Sequence, residues 1–225
     1  MPVFVVRVWV PDRPGALGSV ASRIGAVRGD LIGIDILERG AGRAIDELVV
    51  DLPDAALVPL LVSEIAQVDG VDVEDVRAAD ALADPRLDAL ETAALLVEQQ
   101  SGSTLLGVLV ERACHDVEAE WSIAIDMRTE VMLAEVGTPP QLSWLVAFVS
   151  GSQASERVAA GECGPDDVAC TSLGGADIAL LLGRRGRPFR SRERRQLAAL
   201  ARIADNRWNQ LTLFPSPGDC AISIG

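Results

Sequence analysis

The chain has 225 residues, of which 49% are hydrophobic and 24% charged, a composition typical of soluble globular proteins. Its formal net charge is −13, and all 20 basic residues are arginine. This acidic balance argues against non-specific binding to nucleic acid or to anionic membrane surfaces. The length exceeds the roughly 150 residues of one typical domain, so we expect two domains.

The apolar segments and the cysteines limit the compartment and the chemistry. No apolar run approaches the roughly 20 residues needed to span a bilayer, and the N-terminus enters a predicted strand at once, so we expect no signal peptide and no membrane partner. The four cysteines are far apart and lack metal-ligand spacing: Cys114, Cys163, Cys170 and Cys220. We interpret them as reduced thiols of a cytoplasmic protein without a metal ion or cofactor.

The first 78 residues predict an alternating order of strands and helices. Apolar and β-branched runs separated by Gly, Pro and Asp turns predict strands, and apolar residues at helical spacing predict helices. The predicted strands are 3–10, 31–38, 44–52 and 71–76, and the predicted helices are 17–27 and the segment from 53 to 69. The order βαββαβ is that of a ferredoxin-like domain, with two helices on one face of a four-stranded sheet.

The turn after the first strand is the candidate site of this domain. Pro14 suits the first turn of a helix, and Gly15 has no Cβ to block a ligand from the backbone. The N–H groups of Ala16 and Leu17 at the helix start could then bind a carboxylate or phosphate. The alternative is that Asp12 only caps the helix, as in many turns of this composition.

The strand order, the Asp12–Gly15 turn and the Gly-x-x-Ile-Gly spacing of 29–33 resemble an ACT domain over about 75 residues. The resemblance implies a regulatory module that binds an amino acid effector and forms a homodimer. It places the ligand between the first turn of one copy and the second strand of its partner. The implied ligand-binding residues are Asp12, Pro14, Gly15, Ala16 and Leu17, with Leu31, Ile32 and Gly33. Leu31 stands where several amino-acid-binding members carry Asn, so either the ligand is apolar or this copy is purely structural.

The rest of the chain predicts a second α/β domain. We expect a linker at 79–85, a domain at 86–212 and a C-terminal tail at 213–225. Helical spacing predicts helices over 86–100, 104–117, 141–149 and from 191 onward, and strands are predicted at 121–127, 130–136, 166–172 and 177–184.

The last strand, the Arg-Gly turn and the final amphipathic helix, together with the Trp121 hairpin, resemble a GAF domain over 86–210. The resemblance implies an antiparallel central sheet, a dimerising or partner-binding role, and a pocket over the sheet. We expect Trp121, Ile123, Trp144 and Phe148 to make that pocket apolar. The chain has no lysine and lacks the Asn-Lys-Phe-Asp-Glu signature of nucleotide-binding GAF members, so we expect no cyclic nucleotide to bind.

No residue set predicts catalysis. Cys114 and His115 are neighbours on a helix and face different ways, so they cannot readily pair. The arginine-rich run 184–195 could be an anion or partner patch, but a solvated turn that balances an acidic protein is the favoured interpretation. The sequence therefore favours a non-catalytic, α+β regulatory protein that binds an amino acid and signals through its second domain. The alternatives are a regulatory subunit of an amino-acid biosynthetic enzyme, or a dimerising module with no ligand.

Overall fold

The computed structural model describes residues 2–79, 85–152 and 167–213. The chain is α+β and divides into two compact units, Met1–Ala83 and Asp84–Gly225. The predicted linker 79–85 and tail 213–225 lie almost entirely outside the described residues.

The N-terminal unit has the predicted βαββαβ order. Its elements are β1 (Val3–Pro11), α1 (Ala16–Ala26), β2 (Asp30–Gly40), β3 (Arg43–Asp51), a short 3-10 turn (Ala55–Leu57), α2 (Val58–Ile65) and β4 (Asp72–Ala79). The strands form one antiparallel sheet in the order β2-β3-β1-β4, so β2 and β4 are its edges. The helices α1 and α2 pack on one face of this sheet.

The core of the N-terminal unit lies between the helices and the sheet. Alternate residues of β1 point into it, because successive side chains of a strand face opposite sides. The buried residues of this core include Val6, Val8, Val10, Val20, Ile24, Leu48, Val50, Leu61 and Ile65. Leu60 of α2 lies outside this core and is 48% exposed.

The opposite face of the same sheet carries a charged network at its centre. Arg7 is 1% exposed, and its Nη2 donates to Oε1 of Glu47 at 2.8 Å. Nη1 of Arg77 lies 2.9 Å from the same oxygen. Burial raises the pKa of Glu47, but the charges and hydrogen bonds of Arg7 and Arg77 outweigh it and hold that pKa below its usual value. This face therefore carries paired charges at its centre.

The C-terminal unit is built on a second antiparallel sheet, in the order β6-β5-β8-β7. Its elements are α3 (Pro85–Glu98), α4 (Gly102–Asp116), β5 (Trp121–Asp126), β6 (Val131–Gly137), α5 (Leu142–Ser152), β7 (Val168–Leu173), β8 (Ile178–Gly183) and α6 (Ser191–Leu213). The core on one face is formed with α4 and α6, and the core on the other face with α5. The Gly174–Gly175 segment is a turn between β7 and β8.

The apolar residues that predict α3 do not face the core. Those five residues are all exposed in the structure: Leu87, Leu90, Ala94, Leu95 and Val97. Thr92 and Leu96 are buried instead, and Oγ1 of Thr92 donates to Oδ2 of Asp116 at 2.8 Å. The prediction of a helix is confirmed, and the apolar stripe that predicted it is exposed in the structure.

The arginine-rich run is only partly solvated: Arg185 and Arg195 are exposed, whereas Arg184 and Arg194 are buried. Arg184 is 3% exposed, its Nη2 donates to Oε1 of Glu193 at 2.7 Å, and its guanidinium lies 4.1 Å from the Phe189 ring centroid. Nη1 of Arg187 donates to Glu118 at 2.5 Å, and Arg194 is 7% exposed. These arginines therefore join the β8–α6 connection to the rest of the unit through buried or paired charges.

Candidate functional site

The predicted turn has a different helix start from the one we expected. Helix α1 begins at Ala16, with Gly15 as its N-cap in the left-handed region at φ +86°. Pro14 therefore precedes the helix instead of lying in its first turn. Asp12 does not cap the helix, because the cap has no side-chain hydrogen bond. Gly15 is needed here for its backbone conformation, which other residues rarely adopt.

Only part of the predicted anion site has open N–H groups. The N–H of Ala16 donates to the carbonyl of Arg13 at 3.3 Å. Contrary to our prediction, it is therefore not available to a ligand. The N–H of Asp12 donates to the carbonyl of Gly42 at 2.9 Å and ties the turn to the β2–β3 hairpin. A Cβ on Gly15 would have nothing within 4 Å, so the space over this glycine is open.

The second part of the predicted site is a β-bulge at the start of β2. Leu31 pairs with Val50 and Gly33 with Val49, so Ile32 is the extra residue between them. Ile32 is 51% exposed, whereas Leu31 packs against the core. A Cβ on Gly33 would lie 3.1 Å from Cγ2 of Val49, so glycine is favoured there by close packing on the neighbouring strand.

These two parts lie at opposite ends of one sheet. The turn follows Pro11, at the end of β1, while Leu31 is aligned through Val50 with Phe4, near the start of β1. At about 3.3 Å per residue, the seven-residue offset corresponds to roughly 23 Å. One copy of the unit therefore cannot bring Gly15 and Gly33 to one small ligand.

Strand β2 is an edge of the sheet and exposes a row of isoleucines. Ile32, Ile34 and Ile36 are 51%, 41% and 42% exposed. Exposed apolar edge strands favour pairing with another strand, and soluble proteins usually protect such edges with charges or proline. Along β2 this row combines an apolar surface with the outward-facing backbone groups of an edge strand.

Two charged residues near the turn, Arg39 and Asp46, were missed by the sequence analysis. Asp46 of β3 is 4% exposed, and its Oδ1 has no hydrogen-bond partner among the described residues. Burial raises the pKa of Asp46, the charge of Arg39 lowers it, and the charge of Asp12 raises it further. Asp12 was predicted as a site residue, but Arg39 and Asp46 have no local motif. An Asp inside an apolar strand pattern is the only signal that could have drawn attention to Asp46.

The C-terminal unit holds a cavity of about 470 Å³ at the end of its sheet. Trp121 and Trp144 line it as expected, but Ile123 and Phe148 do not. Those two residues belong to the packed core beneath α5, where Leu145 is fully buried. The cavity is also not apolar, because its lining includes polar or charged residues: Glu120, Thr138, Asp167, Arg184 and Arg185.

Trp121 forms part of this wall because glycines flank it on both neighbouring strands. It pairs with Gly137 of β6 and with Gly183 of β8. A Cβ on Gly183 would lie 2.1 Å from Cζ2 of Trp121, and one on Gly137 would lie 2.1 Å from the carbonyl oxygen of Glu120. The indole therefore occupies the volume that a larger residue at 183 would need.

The thiol and imidazole groups are not arranged for catalysis. Sγ of Cys114 donates to the carbonyl of Ala119 at 3.2 Å, while His115 is 65% exposed and its Nδ1 lies 3.5 Å from Oδ1 of Asp116. Burial raises the pKa of Cys170 to about 11, although the charge of Arg194 acts to lower it. Cys163 and Cys220 lie outside the described residues.

The described residues fall in the ranges 2–79, 85–152 and 167–213. They contain no group of three or more His, Cys, Asp or Glu side chains that could hold a metal ion. No helix in these ranges is both long enough and apolar enough to cross a membrane.

Comparison with known proteins yields structural likenesses only. No family model matches the chain, and no curated protein matches it. The ACT domain of GTP pyrophosphokinase from Chlorobium tepidum is 15% identical, with 35% of this chain and 100% of that chain covered and a TM-score of 0.29. The GAF domain of an Acinetobacter phosphoenolpyruvate-protein phosphotransferase is 12% identical, with 60% and 99% covered and a TM-score of 0.43.

A third solved structure, the free methionine-R-sulfoxide reductase of Neisseria meningitidis in complex with its substrate, is 14% identical, with 61% and 95% covered and a TM-score of 0.42. The structural neighbours thus include an ACT domain and several GAF domains, at low identity and partial coverage. At these TM-scores the likenesses carry no argument about the ligand or activity of this chain.

Proposed function

We propose that this protein is a non-catalytic regulatory homodimer that binds an apolar amino acid through its N-terminal ACT-like unit and signals through its GAF-like unit. The ligand contacts Asp12, Pro14, Gly15, Ala16 and Leu17 of one protomer and Leu31, Ile32 and Gly33 of the other. The observation that carries this proposal is the exposed isoleucine row on edge strand β2.

Antiparallel pairing of two β2 strands supports the assignment of the two half-sites to different protomers. A two-fold axis across this edge pairs the start of one β2 with the end of the other. The end of β2 leads into the hairpin whose Gly42 carbonyl accepts from Asp12. Pairing therefore brings the partner's bulge to the end of the sheet that carries the turn and removes the roughly 23 Å separation along the strands; β2 and β3 then lie between the partner's β2 and β1, at roughly 4.8 Å per strand.

The apolar character of the bulge selects the class of effector. Leu31 and Ile32 offer no side-chain hydrogen bonds, so they favour an apolar ligand side chain. The open space over Gly15 lets the ligand approach the backbone of the turn. An apolar amino acid satisfies both conditions.

We expect at least one apolar L-amino acid to raise the melting temperature of the full-length protein in a screen of all twenty. A ligand at one hundred times its Kd adds about 2.7 kcal/mol to the folded state, which is readily detected by thermal shift. Gly15→Asn should abolish the shift, because Asn tolerates the left-handed conformation but fills the space over the turn.

The matched control is Gly186→Asn, since Gly186 is also left-handed, at φ +72°, with nothing within 4 Å of its Cβ position. This variant lies in the C-terminal unit and should keep the ligand-induced shift. An unchanged shift in Gly15→Asn would remove the turn from the site. If no amino acid shifts the melting temperature, a dimerising module without a ligand becomes the better description.

We expect cyclic AMP and cyclic GMP not to bind the full-length protein. The sheet face beneath α5 is filled by Leu145 and Val149, which are buried. The guanidinium of Arg184, at the cavity end of β8, already donates to Glu193 and to the carbonyls of Arg187 and Pro188. It is therefore not available to a phosphate. Isothermal calorimetry checks this, and heat of binding at micromolar nucleotide would contradict it.

A further inference from the structure

Asp46 is a buried carboxylate in an unusual position. It lies on β3, between Val8 of β1 and Ile36 of β2, on the face that carries the helices. It is 4% exposed, and its Oδ1 has no hydrogen-bond partner within the described residues. Buried polar atoms in folded proteins are nearly always paired, so an unpaired carboxylate oxygen points to a partner that binds there.

A second bulge in β2 places Arg39 on the same face as Asp46. Ile36 pairs with Asp46 and Glu38 with Ile45, so Leu37 is the extra residue. Beyond this bulge Arg39 pairs with Ala44, two residues from Asp46 on β3. Arg39 and Asp46 are therefore diagonal neighbours on one face, a separation that a long side chain can span. Without the bulge, Arg39 would face away from Ile36 and Asp46.

Asp12 completes the charged group at this end of the sheet. Its backbone N–H donates to the carbonyl of Gly42 in the hairpin that follows Arg39. The charges of Asp12 and Arg39 both act on the Asp46 carboxyl. The side chains of Asp12 and Arg39 are exposed, so a ligand at the turn can reach both. Ile36, which is 42% exposed, is the residue of edge strand β2 that pairs with Asp46.

We infer that Asp46, Asp12 and Arg39 recognise the two charges of a zwitterionic α-amino acid. Asp46 and Asp12 bind the ammonium group, and Arg39 binds the carboxylate. This assignment rests on the proposed function. It accounts for the ammonium and carboxylate groups of the ligand, which the apolar bulge does not bind. An ammonium group donates three hydrogen bonds, and a guanidinium matches a carboxylate in geometry.

The assignment explains why a costly residue stands inside an apolar core. A buried charge without a partner destabilises the folded protein, and such residues are tolerated where they serve binding. It also predicts selectivity: an acid that lacks the ammonium group leaves Asp46 unpaired, and an amine that lacks the carboxylate leaves Arg39 unpaired. Sites built to pair a polar group reject analogues without that group strongly.

Binding to the full-length protein by calorimetry, with two sets of matched probes, tests the inference. The first set is L-leucine, 4-methylpentanoate and isoamylamine, and the second is L-phenylalanine, 3-phenylpropionate and phenethylamine. We expect a wild-type preference of roughly tenfold or more for the amino acid over each analogue. Asp46→Asn should weaken amino-acid binding by a similar factor without weakening the binding of the carboxylic acid. Arg39→Gln should likewise weaken amino-acid binding without weakening the binding of the amine.

Glu38→Gln is the matched control, because Glu38 adjoins Arg39 but pairs with Ile45 on the opposite face. It should leave all affinities unchanged. Asp46→Asn should fold, since it removes an unpaired buried charge without changing the side-chain shape, and an unchanged circular dichroism spectrum checks this. Equal binding of an amino acid by wild type and Asp46→Asn would overturn the inference and leave the proposed function standing. No binding of either amino acid to the wild type, with none active in the twenty-member screen, would overturn both.

Discussion

Gly183→Ala is expected to destabilise the C-terminal unit by about 3 kcal/mol, the upper part of the range for overpacked sites. The added Cβ would lie 2.1 Å from the Trp121 ring, and the indole is confined because Trp121 is 9% exposed. The ring must move or β8 must separate from β5, and either change disturbs the wall of the cavity. Urea unfolding followed by tryptophan fluorescence measures the effect, since three of the four tryptophans, Trp121, Trp144 and Trp208, lie in this unit.

Gly107→Ala is the matched control for the same added methyl group. Gly107 lies inside α4, and a Cβ there has nothing within 4 Å. Alanine should stabilise this helix position by about 0.5–1 kcal/mol. The two variants should therefore change the free energy of unfolding in opposite directions. In a Trp121→Leu background, the loss of stability caused by Gly183→Ala should fall by at least half, because the Trp121 ring causes that loss. An undiminished penalty in that background would show that the indole is not the cause.

The strand and helix order of both units could be predicted because turns and periodicity are local signals. Gly29, Asp69 and Gly70 separate apolar runs of the right length, and the structure has elements between them as expected. The helix start near Pro14 could not be predicted to the residue. Proline fits both just before the cap and in the first turn, and only the left-handed backbone of Gly15 decides between them.

The direction of an apolar stripe was the less predictable part of the fold. Periodicity predicts α3 but does not say what covers each face: Leu90 helps to predict the helix and is 69% exposed. The charged group at Asp46 was beyond prediction for a related reason. It depends on the pairing of β2 with β3 and on the bulge at Leu37, and register is set by contacts distant in sequence. A single sequence shows Arg39 and Asp46 only as two charged residues in strands.

Ile34→Lys is expected to dissociate the proposed dimer and to abolish amino-acid binding with it. Ile34 is the middle residue of the exposed row on β2 and is 41% exposed, so a lysine there keeps its charge in water in a monomer. In an antiparallel β2 pair, two such lysines approach each other across the two-fold axis, and charged edge residues oppose strand pairing. We expect the dimer Kd to rise roughly thirtyfold or more, equivalent to about 2 kcal/mol at an interface hot spot.

Light scattering across a concentration series measures the dimer Kd, and thermal shift with the effector measures binding on the same samples. Leu60→Lys is the matched control, because Leu60 is also an exposed apolar residue, at 48%, but lies on α2 and not on the sheet edge. It should leave the dimer and the ligand response unchanged. Loss of the ligand response should follow the loss of the dimer, since the turn and the bulge of one protomer are too far apart to share a ligand. A monomeric Ile34→Lys protein that still binds an amino acid as tightly as wild type would show that the site is complete within one chain.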